Sequence, residues 1–191
     1  MTPFTRIVDL ETGVLRAAEQ VQTRRLSDLA GLFGDVPAAG AVGATDPVVY
    51  RVYAAADTPQ QEGQLLFSTT VIEPGRVGSE YYMTKGHYHA KGDRAELYYC
   101  LQGRGWLLMQ TPHGAVDVQE MTPGAASYVP PHWGHRSVNT GDERFAFLAV
   151  YPADAGYDYG TITGQGFAVR VVAGPAGPEA VPNPDFRPAK E

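Results

Sequence analysis

Two stretches of sequence decide the fold and the candidate site: TKGHYHAKGDRAELY (84–98) and YVPPHWGHRSVNTGDERF (128–145). The first contains the pair His87 and His89, and in an extended segment residues i and i+2 point to the same side. Two imidazoles at this spacing can therefore bind one metal ion from a single strand. Four of the five histidines of the chain fall in these two stretches, so the histidines are clustered rather than scattered.

A third imidazole and a carboxylate would complete a set of three nitrogen ligands and one oxygen ligand. Glu96 is the best carboxylate because it opens the strand that follows the loop AKGDRA, and His135 follows a Pro-Pro-His-Trp-Gly run. Such a set suits Fe, Zn, Mn or Ni and leaves room for substrate oxygens. We therefore predict one divalent metal ion, which the ligand types leave open among these four metals, bound by His87, His89, Glu96 and His135. An empty polar pocket is the alternative.

Nine short segments rich in Val, Tyr, Phe and Leu predict the strands of an all-β protein. They are 48–55, 64–72, 96–102, 105–110, 115–120, 126–130, 135–139, 144–151 and 167–172. Gly, Pro and charged residues separate them, and helical periodicity is absent after residue 35. Tight turns are predicted at Gly103–Gly105, as a hairpin, and at Pro112–Gly114. Short strands at this spacing predict a sandwich or a small barrel.

The two ends of the chain differ from this strand-rich part, which is predicted to span 46–173. Residues 1–45 are predicted to be an N-terminal arm that covers a sheet face or a partner subunit. The arm contains a short helix capped by Ser27 and ended by Gly34, and then a Gly/Ala-rich loop over 37–45. The proline-rich tail, 174–191, is predicted to be extended or disordered.

The composition excludes several classes of function. The 191 residues fit one domain, 43% of them are apolar, and 22 Gly with 15 Pro favour a turn-rich β protein. The net charge of −6 argues against binding to nucleic acid or to an anionic membrane. No run approaches the ~18 apolar residues of a membrane span, and the first fifteen residues resemble no signal peptide. A single cysteine excludes an intrachain disulfide and a cysteine-based metal site, so a cytoplasmic location is expected.

The histidine motifs resemble the two motifs of the cupins, although the gap from His89 to Glu96 is longer than usual and His132 stands at the usual glycine position. Longer stretches resemble one cupin family, the archaeal-type, metal-dependent glucose-6-phosphate isomerases. These stretches are 24–31, 46–53, 84–98, 128–145 and 151–162. The resemblance implies a cupin barrel (a double-stranded β-helix, or jelly roll), a homodimer, and a metal site at the four residues proposed above.

The resemblance also implies an aldose–ketose isomerase that interconverts glucose 6-phosphate and fructose 6-phosphate. A divalent ion at the sugar oxygens O1 and O2 would stabilise an enediolate, and Glu96 is our candidate for the proton carrier between C1 and C2. A metal-assisted hydride shift remains an alternative. The resemblance places contacts with phosphate and sugar at Tyr50, Thr70, Thr84, Gly86, Tyr98 and Tyr159. Lys85 can add positive charge there.

Two candidate catalytic residues depart from the family pattern. Tyr157 stands where the family typically has His, which puts the acid–base role in opening the sugar ring in doubt. His132 stands where the family typically has Tyr, and it can take over that role or lie beside the metal. Two other functions fit the same ligands: a non-haem Fe(II) dioxygenase, and a non-catalytic, metal-containing module that binds phosphosugars.

Overall fold

The computed structural model describes residues 2–35, 45–55 and 58–189. Strands dominate these ranges, which confirms the all-β prediction. The strands are β1 (Gln20–Arg25), β2 (Val48–Ala54), β3 (Leu65–Ile72), β4 (Arg76–Val77), β5 (Glu80–Tyr81), β6 (Glu96–Gln102), β7 (Gly105–Gln110), β8 (Val116–Met121), β9 (Ala126–Val129), β10 (Gly134–Asn139), β11 (Phe145–Pro152), β12 (Val169–Gly174) and β13 (Gly177–Pro182). The described part also holds helices α1 (Leu26–Leu29) and α2 (Tyr159–Gln165), with a 3₁₀ turn over Ala30–Leu32. None of the helices in these ranges is long and apolar enough to cross a bilayer.

The strands form three antiparallel sheets. One has six strands in the order β1-β2-β3-β11-β6-β9, one has the order β10-β7-β8, and one has the order β13-β12-β5-β4. From β6 to β11 the chain passes between the six-stranded and the three-stranded sheet at four of the five connections, and only β7 and β8 are joined as neighbours. This alternation is the jelly-roll pattern and confirms the predicted cupin barrel.

One predicted hairpin is wrong. β6 pairs with β11 and β9, whereas β7 pairs with β10 and β8, so the turn at Gly103–Gly105 carries the chain from one sheet to the other. Gly103 has a φ of +73°, and a Cβ at this position would collide with the carbonyl of Arg144. A glycine is therefore required at this crossing for reasons of backbone conformation and space. The turn at Pro112–Gly114 does join the paired strands β7 and β8, as predicted.

Both ends of the chain contribute strands to sheets. β1, which lies within the predicted arm, pairs with β2 at one edge of the six-stranded sheet, and Phe4 stacks on Phe67 with ring centroids 6.1 Å apart. β13, which lies within the predicted tail, pairs with β12 along six residues. The Gly/Ala-rich loop predicted over 37–45 falls almost entirely outside the described residues.

The helices differ in detail from the predictions. α1 begins after Arg25, so Ser27 lies inside the helix and does not cap it; the Ser27 backbone and hydroxyl donate instead to the carboxylate of Asp46. α2 was not predicted at all. Its start is stabilised by Asp158, whose side chain accepts a hydrogen bond from the backbone of Thr161.

The inner face of the six-stranded sheet carries the polar residues that matter for function. Along β6 the burial alternates: Glu96, Tyr98 and Cys100 are buried, whereas Leu97 and Tyr99 are exposed. This alternation follows from the two-residue period of a strand. The facing strand β10 is buried at all six residues. The candidate ligands Glu96 and His135 therefore lie between two layers of the barrel.

Candidate metal centre and cavity

The four predicted metal ligands come together. His87, His89, Glu96 and His135 each offer one ligand atom, and these atoms lie within 4.8 Å of one another. His135 is only 1% exposed, Glu96 5% and His89 8%. A β-bridge holds two of them in place: the His87 backbone donates to the carbonyl of His135 at 3.1 Å, and the His135 backbone donates back at 3.0 Å. The segment of His87 and His89, the start of β6 and the more distant strand β10 thus place their ligand atoms at one point.

Unpartnered nitrogen atoms show that this cluster fits a cation. The Nε2 atoms of His87 and His135 are buried and have no hydrogen-bond partner among the described residues, although the Nε2 of His135 lies 3.1 Å from the Glu96 Oε2. A buried imidazole nitrogen without a partner is costly, and a bound metal ion would satisfy it. The other ring nitrogen of His135, Nδ1, lies 3.3 Å from the Trp133 carbonyl, which orients the ring with Nε2 toward the cluster.

The unusually long loop between His89 and Glu96 has a structural role. The Nδ1 atom of His89 lies 2.8 Å from the carbonyl of Arg94 in this loop. The side chain of Arg94 forms a two-pronged ion pair with Asp154, at 3.1 and 2.8 Å, and Lys91 adds a third contact to the same carboxylate at 2.8 Å. Asp154 therefore fixes the loop that orients His89. No local sequence pattern predicts this pairing, because Asp154 lies 60 residues further along the chain than Arg94.

The protonation states of Glu96 and His87 also suit a bound metal ion. Burial lowers the pKa of His87 well below its usual value, and the neighbouring His135 adds to the effect. Burial opposes the charge on Glu96, but the close approach of the His135 and His89 rings prevails and lowers the pKa of Glu96 to about 2. Burial also opposes the charge on His89, but the hydrogen bond and the charge of Glu96 raise its pKa. The ionised carboxylate of Glu96 and the neutral imidazole of His87 are the donor forms that metal binding requires, whereas the raised pKa of His89 means that a bound cation would have to displace its proton.

A cavity of about 300 Å³ opens beside the cluster and collects most of the other predicted site residues. Its lining includes Tyr50, Thr70, Thr84, Lys85, Gly86, Tyr98, Tyr157 and Tyr159 together with His87, Glu96 and His135. It also includes residues that the sequence did not single out: Gln20, Gln22, Ser68 and Tyr151. The alternation of Gln20 and Gln22 along one strand is a signal that could have been read as an inward-facing polar row. The three-His and one-Glu cluster thus lies in the wall of a polar, tyrosine-rich cavity.

The segment 84–86 forms one end of this cavity and is held firmly by β10. The Thr84 backbone donates to the Ser137 carbonyl at 2.9 Å, and the Thr84 hydroxyl accepts from the Ser137 backbone at 3.1 Å. The buried Arg136 donates to the carbonyl of Lys85 at 2.9 Å. Gly86 has a φ of +75°, a conformation that favours glycine. The backbone of this segment is therefore fixed before any ligand binds.

Two tyrosine hydroxyl groups meet inside the cavity. Tyr157 donates to the hydroxyl of Tyr151 at 2.8 Å, and its ring lies edge-on to His87 with centroids 4.9 Å apart. Burial raises the pKa of both phenols, so both are neutral donors at neutral pH. Tyr157 also stacks on Tyr159, with an angle of 13° between the rings.

The structure does not bring His132 to the cavity. Its side chain is exposed, and it belongs neither to the metal cluster nor to the cavity lining. Its backbone has a φ of +67° and donates to the carbonyl of Gly92 at 2.6 Å. The expectation that His132 acts in catalysis disagrees with this placement, because the tight turn directs its ring toward the loop around Gly92.

Comparisons with known proteins agree with the geometry. The family model described as glucose-6-phosphate isomerase (GPI) matches residues 23–179. A glucose-6-phosphate isomerase of Thermococcus onnurineus is 52% identical over 180 residues, covering 94% of each chain. One of Pyrococcus furiosus is 50% identical over 97% of each chain, and one of Sinorhizobium medicae is 42% identical over 94% of this chain and 86% of its own. The chain therefore belongs to the glucose-6-phosphate isomerase family, as its sequence motifs predicted.

Proposed function

We propose that this chain interconverts glucose 6-phosphate and fructose 6-phosphate in the cavity beside the three-His and one-Glu cluster. The observation that carries the proposal is the meeting, in one buried wall, of a metal-ligand set and a carboxylate that borders a sugar-sized polar cavity. The relatives named above support the substrate pair. No feature of the cavity favours a dioxygenase over an isomerase.

The cluster is proposed to hold one divalent ion per subunit through His87, His89, Glu96 and His135. Iron is our first choice, and zinc, manganese and nickel suit the same three nitrogen ligands and one oxygen ligand. When bound, such an ion would supply Lewis-acid stabilisation for negative charge that develops on the sugar oxygens. The unpartnered Nε2 atoms of His87 and His135 support this assignment.

Glu96 is the proposed carrier of the proton between C1 and C2. It is the carboxylate in the cavity lining and is ionised at neutral pH because its pKa is low; the same low pKa makes it a weak base, so its ligand role and its proton-carrying role compete. Tyr98, two residues further along the same face of β6, excludes water from this side because it is buried between His135 and Phe147. Burial raises the pKa of Tyr98 well above its usual value, so Tyr98 stays neutral and orients the sugar by hydrogen bonding.

The phosphate is proposed to bind at the end of the cavity formed by Thr84, Lys85 and Gly86, with Tyr50 and Thr70 on the facing sheet. Backbone N–H groups and hydroxyls are suitable donors for phosphate where no helix terminus is present. The Tyr50 hydroxyl already accepts a contact from the Lys85 backbone at 3.4 Å. Tyr159 lies at the same end, with the Lys85 ammonium 4.7 Å above its ring. The sugar then extends toward the metal cluster.

Tyr157 is proposed to assist the opening of the sugar ring as a hydrogen-bond donor rather than as a base. Burial raises its pKa, so proton removal from the phenol is disfavoured at neutral pH. Tyr151 holds the phenol in place through the bond between the two hydroxyls. His132 has no role in this proposal.

The chain is further proposed to act as a homodimer that meets through the outer face of the six-stranded sheet. Leu97 and Tyr99 are exposed there, Tyr128 pairs with Leu97, and Val150 lies on the other side of Leu97. These side chains form one apolar surface without a charged group among them. An apolar surface of this kind favours a partner, and a second copy of the chain is the occupant that the family resemblance implies.

The cytoplasm is the proposed location of the enzyme, because its proposed substrates are phosphorylated sugars of central metabolism. The buried thiol of Cys100 is compatible with a reducing compartment. Fractionation of cells that produce the untagged protein would test this.

The decisive test uses protein stripped with a chelator and reloaded separately with Fe(II), Zn, Mn and Ni under nitrogen. Each form is mixed with fructose 6-phosphate, and glucose 6-phosphate is measured. We expect conversion that requires a metal and no oxygen. Absence of conversion with every metal would contradict the isomerase proposal, and oxygen consumption by the Fe(II) form alone in a parallel assay under air would support a dioxygenase instead.

A further inference from the structure

The inner face of the edge strand β1 forms part of the cavity wall. In its pairing with β2, Gln22 lies opposite Val52 and Arg24 lies opposite Tyr50. Directly opposed residues of an antiparallel pair share a face, so these side chains point to the same side as the cavity-lining Tyr50. Gln20 and Gln22 themselves line the cavity, and Arg24 is the next residue of the same row.

Arg24 lies beside two tyrosines at the end of the cavity formed by residues 84–86. Arg24 lies directly opposite Tyr50 in the β1–β2 register, and the positive charge of its guanidinium acts on the hydroxyls of Tyr50 and Tyr159. Lys85 approaches the same two tyrosines from the opposite wall, through its backbone at Tyr50 and its ammonium at Tyr159. Two cations from different elements therefore flank one small volume.

The charges around this volume leave Arg24 available for an anion. Within residues 2–35, 45–55 and 58–189, no carboxylate lies within ion-pair distance of Arg24. Glu96 is the one acidic residue among those that line the cavity, and it belongs to the metal cluster. The carboxylate and imidazoles of the metal cluster thus form one group in the cavity wall, and Lys85 with Arg24, which lies opposite the cavity-lining Tyr50, forms a second, cationic group.

We propose that Arg24 is a phosphate-binding residue, contributed by the edge strand β1 and acting opposite Lys85. The inference rests on the proposed function and adds Arg24 to the contacts that the family resemblance implied. A guanidinium presents N–H donors in a planar arrangement that matches two phosphate oxygens, whereas backbone N–H groups at 84–86 reach the phosphate from the other side. The N-terminal segment then completes the substrate site in addition to covering the sheet.

The test compares Arg24→Met with Arg24→Lys and with Arg104→Met. Methionine keeps the length of the stem without the charge, and lysine keeps the charge without the planar donor pair. Arg104, an exposed residue between β6 and β7 that pairs with Glu120, controls for the loss of one positive charge. For each protein, the kcat and KM for fructose 6-phosphate are measured, together with the inhibition constants of inorganic phosphate and sorbitol 6-phosphate.

For Arg24→Met we expect KM and both inhibition constants to rise at least tenfold, with a smaller effect on kcat, because the lost interaction is made before and during the reaction alike. Arg24→Lys should recover part of the loss, and Arg104→Met should behave as the wild type. Unchanged constants in Arg24→Met, or a fall in kcat alone, would overturn the assignment. Titration of inorganic phosphate by thermal shift tests Arg24 without turnover, so an inactive wild type would count against the proposed function only.

Discussion

The two faces of the six-stranded sheet serve different purposes, and strand β6 shows the contrast residue by residue. Glu96 and Tyr98 face the cavity and are buried, whereas Leu97 and Tyr99 face outward and are 44% and 42% exposed. Tyrosine occurs on both faces, so the contrast lies between the ionised Glu96 on the inner face and the apolar Leu97 on the outer face. This is the reverse of the usual arrangement, in which the polar face of a sheet meets water.

The reversal has a physical explanation on each side. Inside, polar groups are tolerated because they are arranged around a cavity and a cluster that leaves two imidazole nitrogens for a cation. Outside, the apolar row from Tyr128 through Leu97 to Val150 is the kind of surface that a partner covers. Because strand residues alternate with a period of two, one segment of sequence can encode both the proposed site and the proposed dimer interface.

The sharpest test of this contrast replaces two neighbouring residues, Glu96 and Leu97, each by glutamine. Glu96→Gln should lower kcat/KM by about a thousandfold, because it removes both a ligand and the proposed proton carrier. Leu97→Gln, one position along and on the outer face, should leave kcat/KM within about twofold when both proteins are assayed at high concentration. Steady-state kinetics with metal analysis checks the pair. A Glu96→Gln enzyme with wild-type activity would contradict the proposed role.

The contacts that orient the candidate ligands of the inner face can be tested by substitutions outside the metal cluster. Asp154→Asn weakens the ion pair that holds Arg94, whose carbonyl orients His89, so metal affinity should fall roughly 10–100-fold. Asp93 contacts the same arginine from an exposed position, and Asp93→Asn should leave metal affinity near that of the wild type. Competition with a chromogenic chelator measures both. Equal affinities for the two variants would show that the loop orients His89 without Asp154.

The candidate metal ligands of the inner face were far easier to predict than the residues that hold them in position. His87, His89, Glu96 and His135 were identified because metal-ligand chemistry restricts residue type and strand geometry restricts spacing. Glucose-6-phosphate isomerase motifs then added the tyrosines and threonines of the cavity. Asp154 escaped prediction because its contact with Arg94 depends on two loops meeting, which local sequence does not encode.

In the rest of the fold, too, features that depend on local sequence were predicted and features that depend on distant contacts were not. Four of the thirteen strands in the described residues, β1, β4, β5 and β13, were not predicted, but the other nine were predicted to within two residues from the runs of Val, Tyr, Phe and Leu. The pairing partner of β6 was not, because Gly103–Gly105 has the composition of a hairpin turn and only the closed barrel places β6 and β7 in different sheets. Helix α2 is seven residues long and too short for a periodic pattern.

The proposed dimer contact of the outer face can be disrupted without changing the inner face. Tyr99→Glu combined with Tyr128→Glu places two negative charges on the apolar surface, and on the opposing copy as well, so the dimer should dissociate at concentrations at least tenfold higher than for the wild type. Sedimentation velocity over a concentration series measures this. Tyr98→Phe, which changes the intervening inward residue, is the matched control and should keep the dimer. A dimer unaffected by the double substitution would place the interface elsewhere.

Tyr157 does not fit the contrast between buried inner residues and exposed outer residues, since it lines the cavity and is nonetheless half-exposed. Tyr157→Phe removes the hydroxyl that bonds to Tyr151, and we expect kcat/KM to fall about three- to tenfold, the size of one lost neutral hydrogen bond. Tyr151→Phe removes the other partner of the same bond, and the double variant shows whether the two act together. Additive losses would argue against a coupled pair.

The smallest expected effect concerns His132, which lies outside both faces. Its φ of +67° is costly for a residue with a side chain, by about 1–2 kcal/mol, and glycine relieves this cost while losing somewhat more chain entropy on folding. His132→Gly should therefore raise the free energy of unfolding by roughly 0.5–1 kcal/mol and leave kcat/KM unchanged. Denaturant unfolding and steady-state kinetics measure the two quantities. A loss of activity in the stable variant would return His132 to the catalytic machinery, and it would show that the exposed turn at residue 132 approaches the substrate during the reaction.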